Sequence, residues 1–478
     1  MLFNSLSFAI FLPIVFLLYW FATRGNHKLQ NILLLVASYY FYACWDWRFL
    51  FLLVFSTLLD YYTGLKMADA KTQKIKTFWF WLSVGVNLGF LGIFKYYNFF
   101  ASSLADGLSL LGFQASFWTL QVILPVGISF YTFHGLSYVI DIYQDKIKPE
   151  KNFIDYSVFV SFFPLLVAGP IERATHLLPQ IQRHRNFDLV KAKDGLRQIL
   201  WGLFKKVVIA DNCAELANII FNNHENYSGS TLILGAVMFT LQIYGDFSGY
   251  SDIALGTARL FGVELLKNFA FPYFSRDIAE FWRRWHISLS SWFKDYLYIP
   301  LGGSKGGMWM KVRNTFIIFL VSGFWHGANW TFIAWGFVNA LFIMPSIVFN
   351  TNRSNIETVA QGKILPSVKE FFQIGITFFM AAFCWIFFRA KDLTSAIDYI
   401  RGIFSMSVFQ VPDINFSPAL WLIIPFMMME WLGRERQYAI SHMGLQWPTP
   451  IRWVFYYLIV FAIFYFAGSE QQFIYFQF

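Results

Sequence analysis

Ser322-Gly323-Phe324-Trp325-His326-Gly327-Ala328-Asn329-Trp330 lies between two apolar runs, residues 316–321 and 332–349. What surrounds that histidine decides the fold. Hydrophobic residues make up 57% of the 478-residue chain, aromatic residues 21% and charged residues only 14%. A soluble domain carries about 25% charged residues, so the composition describes an integral membrane protein. Apolar runs of about 20 residues, each enough to cross a bilayer, recur from Phe8 to Phe466. The expected fold is all-α and polytopic, with roughly 10–12 membrane-embedded helices, some of them re-entrant. The first run, residues 8–21, has no Lys or Arg before it and no small-residue cleavage site after it. It reads as a retained helix rather than a removed signal peptide.

The net charge of +9 does not describe a nucleic-acid binder, because Lys and Arg alternate between loops. Arg24 and Lys28 follow the first apolar run, and Lys66, Lys71, Lys74 and Lys76 follow the third. Residues 101–116, read as a loop, have no Lys or Arg, and Lys146, Lys148 and Lys151 come after the fifth helix. The pattern predicts an N-terminus outside, cytoplasmic stretches at 173–206 and 259–313, and an extracytoplasmic stretch at 222–230. Arg389, Lys391 and Arg401 fall where this count predicts the outside, so that region is a surface helix or the count is off by one. Cys44, Cys213 and Cys384 are scattered in largely apolar surroundings, with neither a disulfide framework nor metal-ligand spacing.

No linker, repeat or glycine-rich phosphate loop divides the chain, which reads as one domain over 1–478: N-terminal helices at 1–120, a core at 121–349 and C-terminal helices at 350–478. Helix breakers cluster in the core, at Leu124-Pro125-Val126-Gly127-Ile128-Ser129, at Phe163-Pro164 and at Gly169-Pro170-Ile171-Glu172-Arg173. Such breaks persist at membrane depth only where other helices or a water-filled cavity satisfy the freed backbone groups. A cavity is therefore expected in this part of the chain.

Three segments there carry chemistry. Tyr244-Gly245-Asp246-Phe247-Ser248-Gly249-Tyr250-Ser251-Asp252 places two carboxylates between apolar runs, with glycines that allow unwinding or close helix approach. Alternatively, it is a helix end solvated at the cytoplasmic surface. Residues 275–297 read as one amphipathic helix with Ser275 as N-cap. Trp282, Trp285, Leu289, Trp292 and Tyr296 share one face, while Arg283, His286, Ser290 and Lys294 share another. That distribution fits a helix lying at the membrane interface, and also a plain interfacial anchor. In the third segment, Gly323 and Gly327 have the small-xxx-small spacing of a tight helix crossing, and Asn329 lies one turn beyond Trp325. His326 sits at its centre as a functional residue with an ordinary pKa of about 6.5, or as a structural histidine bonded between helices.

Taken together, Phe281-Trp282-Arg283-Arg284-Trp285-His286-Ile287-Ser288-Leu289-Ser290, Tyr298-Ile299-Pro300-Leu301-Gly302-Gly303 and Phe324-Trp325-His326-Gly327 resemble motifs of the membrane-bound O-acyltransferases. Order and spacing fit, with the two histidines 40 residues apart. The alginate-type bacterial branch of that family also shows forms of residues 125–133, of Ala168-Gly169-Pro170-Ile171 and of residues 246–252. The match is clear over residues 1–345.

The resemblance implies a helical fold around a central funnel or tunnel, in the bacterial cytoplasmic membrane. It implies that His326 is catalytic and that His286, at a position the family fills with His or Asn, is the second active-site residue. It implies transfer of an acyl group from a cytoplasmic thioester, acetyl-CoA in this branch, to a hydroxyl. The acetyl group would then reach a partner outside the membrane, a polysaccharide acetyltransferase or esterase-like protein. In such chemistry His326 would take the hydroxyl proton, and His286 or a backbone amide near Gly327 would steady the tetrahedral intermediate. A thioester is already activated, so neither a bound cofactor nor a metal is expected. Arg283 and Arg284 are candidates for the phosphates of coenzyme A. Asp246, Ser248, Asp252, Trp325 and Asn329 are further candidates for substrate binding. Competing readings are D-alanyl transfer to teichoic acid from a carrier-protein thioester, and a transporter, although no pair of broken segments repeats in two halves. The aromatic end, residues 473–478, docks a partner or packs on the bundle.

Overall fold

The structure, a computed structural model, describes residues 1–113, 125–167, 169–415, 417–469 and 471–474. Every regular element among them is a helix. Trp47–Ala68, Gln73–Leu110, Gly229–Leu260, Trp330–Val348 and Val368–Arg389 are long and apolar enough to cross a membrane. Leu6–Ala22, Pro418–Gly433 and Thr449–Tyr465 are shorter apolar helices. The protein is an all-α integral membrane protein, as its composition requires.

Contacts divide the chain into two compact units, although no linker marks the boundary: Met1–Asp188 with Ala258–Leu265, and Leu189–Thr257 with Leu266–Phe478.

In the first unit the helix breaks appear where the breakers stand. Gly127 takes a left-handed φ of 75° at the start of helix Ile128–Tyr143, and a Cβ there would lie 2.3 Å from the Leu166 carbonyl oxygen. A second break separates Phe153–Ser161 from the short helix Phe163–Leu166. Leu124 and Ala168 lie outside the described residues. Buried Asp60 accepts from Ser83 Oγ (2.6 Å) and Asn87 Nδ2 (2.7 Å), so a carboxyl group deep in an apolar helix is compensated locally. The loop expected at 101–116 is instead largely the helix Tyr97–Leu110, which ends only at Gly112, φ 84°. Its Ala and Leu residues carry the helix through Gly107, and the lack of basic residues was a poor loop signal. Residues 114–116 lie outside the described set.

In the second unit, Gly229–Leu260 is a single unbroken helix, so the glycines of the 244–252 segment do not unwind it. They serve close approach. A Cβ on Gly249 would fall 2.8 Å from the Gly202 carbonyl oxygen and 3.2 Å from the Lys206 nitrogen. Nor is this segment a solvated helix end. Asp246 and Asp252 are buried, and Lys206 and Lys205 meet them at 2.7 Å and 2.5 Å. Lys206 also meets Asp211 at 2.9 Å. At the chain's far end Ile474 N donates to Asp246 Oδ2 (2.7 Å) and Phe473 packs 4.2 Å from the Tyr250 ring centroid. Those two residues of the aromatic end therefore pack within the unit; Tyr475, Phe476, Gln477 and Phe478 lie outside the described residues.

The helix expected over 275–297 is two short helices, Ile278–Arg284 and Ile287–Phe293, followed by a π turn, Lys294–Tyr298. Asp277, not Ser275, is the N-cap, accepting from the Glu280 nitrogen. Trp285, Leu289 and Trp292 are buried in protein, so their face is packing surface and not an interfacial anchor. The histidine-bearing segment forms a hairpin of Gly307–His326 and Trp330–Val348. Gly323 and Gly336 make it possible: a Cβ on them would reach the carbonyl oxygens of Phe332 (2.2 Å) and Phe319 (2.3 Å). Gly327 is extended (φ −163°) and ends the first helix, so His326 stands at a helix end rather than mid-crossing. Of the three basic residues that broke the charge alternation, Arg401 lies on the 11-residue helix Leu393–Ile403, too short to cross, and Arg389 ends Val368–Arg389.

Candidate active site

A cavity of about 680 Å³ lies within the second unit, and both histidines line it. Its volume is that of a small-molecule site, about 300–1,000 Å³. Aromatic and aliphatic side chains form much of the wall, with Arg283, Lys294, Lys311 and Arg353 as its cationic members.

His326 is the last residue of its helix and is 7% exposed. Aromatic rings surround its imidazole: Trp325 at 4.9 Å, Trp335 at 5.1 Å and Phe388 at 5.2 Å between centroids. Gly327 has no room for a side chain, since a Cβ would lie 2.1 Å from the Phe332 ring. The Trp-His-Gly sequence is thus a packing requirement: the glycine lets the chain leave the helix past Phe332 without moving the imidazole.

His286 occupies the break between the two short helices with φ 44° and ψ 55°, a left-handed conformation uncommon outside glycine, though asparagine, aspartate and histidine adopt it more often than other side chains. Such strain persists where surroundings over-determine it. Here Ile287 N donates to Asn268 O (2.9 Å), and His286 Nδ1 meets Asn268 Oδ1 at 3.0 Å. Two residues before the break, Arg284 O accepts from Ala270 N (2.9 Å). The Phe247 ring stands edge-on 4.6 Å from the imidazole, and Trp325, 6.4 Å away, also packs against His326. Burial pushes the His286 pKa down to about 3, so the ring is neutral at physiological pH.

The remaining candidates are distributed differently. Arg283 lines the cavity, but its guanidinium donates to the carbonyls of Asn352 and Asn355 (2.5 and 2.8 Å). Arg284 pairs with Glu280 at 2.9 Å and is not among the cavity residues. Asp246, Ser248 and Asp252 do not line this cavity: they hold Lys206 and Lys205, with Lys205 Nζ also donating to Ser248 Oγ at 3.0 Å. Ser248 and Asp252 line instead a second, smaller pocket together with Lys205 and Glu430, so these residues do not share the cavity of the two histidines. Trp325 packs beside the two histidines without forming the cavity wall. Asn329 caps the helix Trp330–Val348 and its amide donates to Lys391 O (2.9 Å), also away from the cavity. Reading the sequence missed Asn268, Lys311 and Arg353. Asn268 carries no signal of its own, because its role appears only when residues 268 and 286 meet.

The two histidines thus stand on the wall of one cavity inside a helical membrane protein. The model of the membrane-bound O-acyltransferase family matches residues 148–389. The chain is 38% identical over 435 residues to the probable alginate O-acetylase AlgI of Pseudomonas aeruginosa, covering 90% of this chain and 80% of that one. It is 36% identical over 436 residues to a peptidoglycan O-acetyltransferase of Helicobacter pylori, covering 85% and 80%. Similarity to the teichoic acid D-alanyltransferase of Bacillus subtilis is 28% over 231 residues, 46% of this chain and 58% of the relative. The chain belongs to the membrane-bound O-acyltransferase family, and it is an enzyme, an O-acyltransferase.

Proposed function

We propose that this protein transfers an acetyl group from acetyl-CoA to a hydroxyl, for O-acetylation of a polysaccharide outside the cytoplasmic membrane. The observation that carries this reading is the single cavity that places His286 and His326 on the same wall system as Lys294, Lys311 and Arg353. Coenzyme A brings phosphates for the cations, and the thioester brings a carbonyl for attack. The long similarity to a probable alginate O-acetylase and to a peptidoglycan O-acetyltransferase supports the acetyl group and the polysaccharide over D-alanine.

His326 takes the proton of the incoming hydroxyl in this reading. The hydroxyl oxygen bonds to the thioester carbonyl carbon; the tetrahedral adduct then collapses, the C–S bond breaks, and the thiolate leaves with the proton returned from the imidazolium. General-base assistance of this kind contributes about 10²–10⁴-fold. The charge alternation supports an N-terminus outside and basic loops in the cytoplasm, where acetyl-CoA is supplied. The immediate partner is an extracytoplasmic, esterase-like acetyltransferase that carries the group to the polymer.

The test is purified protein in lipid with acetyl-CoA and an acceptor. Free thiol release that depends on the acceptor is expected. No release with acetyl-CoA, together with release from a D-alanyl carrier-protein thioester, overturns the acetyl assignment; a transporter releases neither thiol.

A further inference from the structure

Asn268 lies in the segment between helix Gly229–Leu260 and the first short helix, and all of its side-chain polar groups are engaged around His286. Its Nδ2 donates to Ser251 Oγ at 3.1 Å. Its Oδ1 accepts from Ser288 Oγ at 2.9 Å and from the Ser288 backbone nitrogen at 3.4 Å. A backbone N–H can only donate, so the group facing it is the amide oxygen and not the NH₂. The same oxygen stands 3.0 Å from His286 Nδ1. An oxygen offers no proton, so Nδ1 carries the hydrogen, and a neutral imidazole has only one. Nε2 is then a bare lone pair. It is buried and has no hydrogen-bond partner among the described residues, while the ring it belongs to lines the cavity.

We infer that Asn268 is the positioning residue of the site: it sets His286 as the Nδ1–H tautomer, so that Nε2 meets the substrates as a hydrogen-bond acceptor and orients the hydroxyl-bearing one. This reverses the role expected from the sequence, in which His286 steadies the oxyanion; an acceptor nitrogen has no proton to give to an oxyanion. The buried lone pair is costly while empty, and a substrate O–H satisfies it. Asn268 acts through His286 and touches no substrate. Ser251 and Ser288 in turn hold the amide, so the orientation is fixed from the long buried helix on one side and from the second short helix on the other.

That the bound O–H belongs to an acyl acceptor rests on the acyl-transfer reading above, whereas the tautomer does not. The experiment therefore has two arms. In the first, protein labelled with ¹⁵N-histidine in lipid bilayers is studied by solid-state NMR, with His286→Asn to identify the resonance. The wild type is expected to show a protonated Nδ1 and a bare Nε2 at neutral pH; a protonated Nε2 overturns the inference. In the second, Asn268→Leu removes the acceptor oxygen and lets the other tautomer form. Partners one shell outside a functional histidine are worth about 10- to 100-fold, and a fall of that size is expected in kcat/KM for the acceptor, with KM for acetyl-CoA unchanged. Asn268→Asp restores an oxygen facing Nδ1. It is expected to recover most of the loss and to move the acid limb of the pH profile upward, because a carboxylate favours the imidazolium. Wild-type acceptor kinetics in Asn268→Leu overturn the positioning role. If neither variant accumulates, the wild-type spectrum decides. A failure of acetyl-CoA as donor appears in the wild type and leaves the spectrum unaffected, so the two failures are distinguishable.

Discussion

Gly202 and Gly249 pack backbone to backbone: a Cβ on either would come within 2.6 or 2.8 Å of the other's carbonyl oxygen. Two turns further along the same helix, Gly256 makes the same approach to Gly195, whose carbonyl oxygen would lie 2.4 Å from its Cβ. Gly249→Val is expected to part these helices, because the two atoms nearest that Cβ, the Gly202 carbonyl oxygen and the Lys206 nitrogen, belong to the backbone. Overpacking of this kind costs about 1–3 kcal/mol or more, read as a lower melting temperature in detergent and less protein in the membrane. An unchanged melt contradicts the packing described.

Lys206 joins Asp246 and Asp211 in a buried cluster. Lys206→Met removes the cation that both carboxylates face, and breaking a buried pair costs about 3–5 kcal/mol. Asp246→Asn should also lower the melting temperature, while the enzyme that survives keeps the KM of the wild type for donor and acceptor. A raised KM with an unchanged melt would return Asp246 to the list of substrate-binding residues.

His326→Ala should abolish transfer, by about 10²–10⁴-fold for lost general-base assistance, with protein level and membrane insertion as in the wild type. Acetylation assayed in purified protein checks this; persistence of transfer removes the proton from His326.

Lys294 and Lys311 line the cavity, and Lys311 Nζ donates to Asn350 Oδ1 at 3.3 Å. Each is expected to meet a donor phosphate. A hydrogen bond to a charged group is worth about 1.5–3 kcal/mol, so Lys311→Ala should raise KM for acetyl-CoA roughly tenfold or more. The comparison is S-acetyl-pantetheine, which lacks the nucleotide: its KM should not move. Equal effects on both donors would place the phosphates elsewhere.

Much of the fold was legible because a bilayer makes apolar length informative: Trp330–Val348 and Val368–Arg389 can be read directly from the sequence. Breaks at Gly127 and Pro164 were equally plain, since each has a backbone cause in its own residue. The two histidines were legible through motifs. What escaped depends on meetings between distant positions. That Asp246 and Asp252 face Lys206 and Lys205 appears only when helices distant in sequence meet. The continuous helix over 275–297 had good periodicity on paper. Asn268 overrides that periodicity by capturing the backbone after His286.

The left-handed turn at His286 filters which amino acids can stand there, independently of what they do. A β-branched or bulky residue is penalised by its own backbone at φ 44°, whereas histidine and asparagine are among the side chains that tolerate that region. The two residues that the family resemblance allows at this position are thus also two that the turn accepts. Replacing His286 by alanine alters the conformational preference of the chain and removes the ring in one stroke. Asparagine is the substitution that separates them, keeping the turn while withdrawing the imidazole.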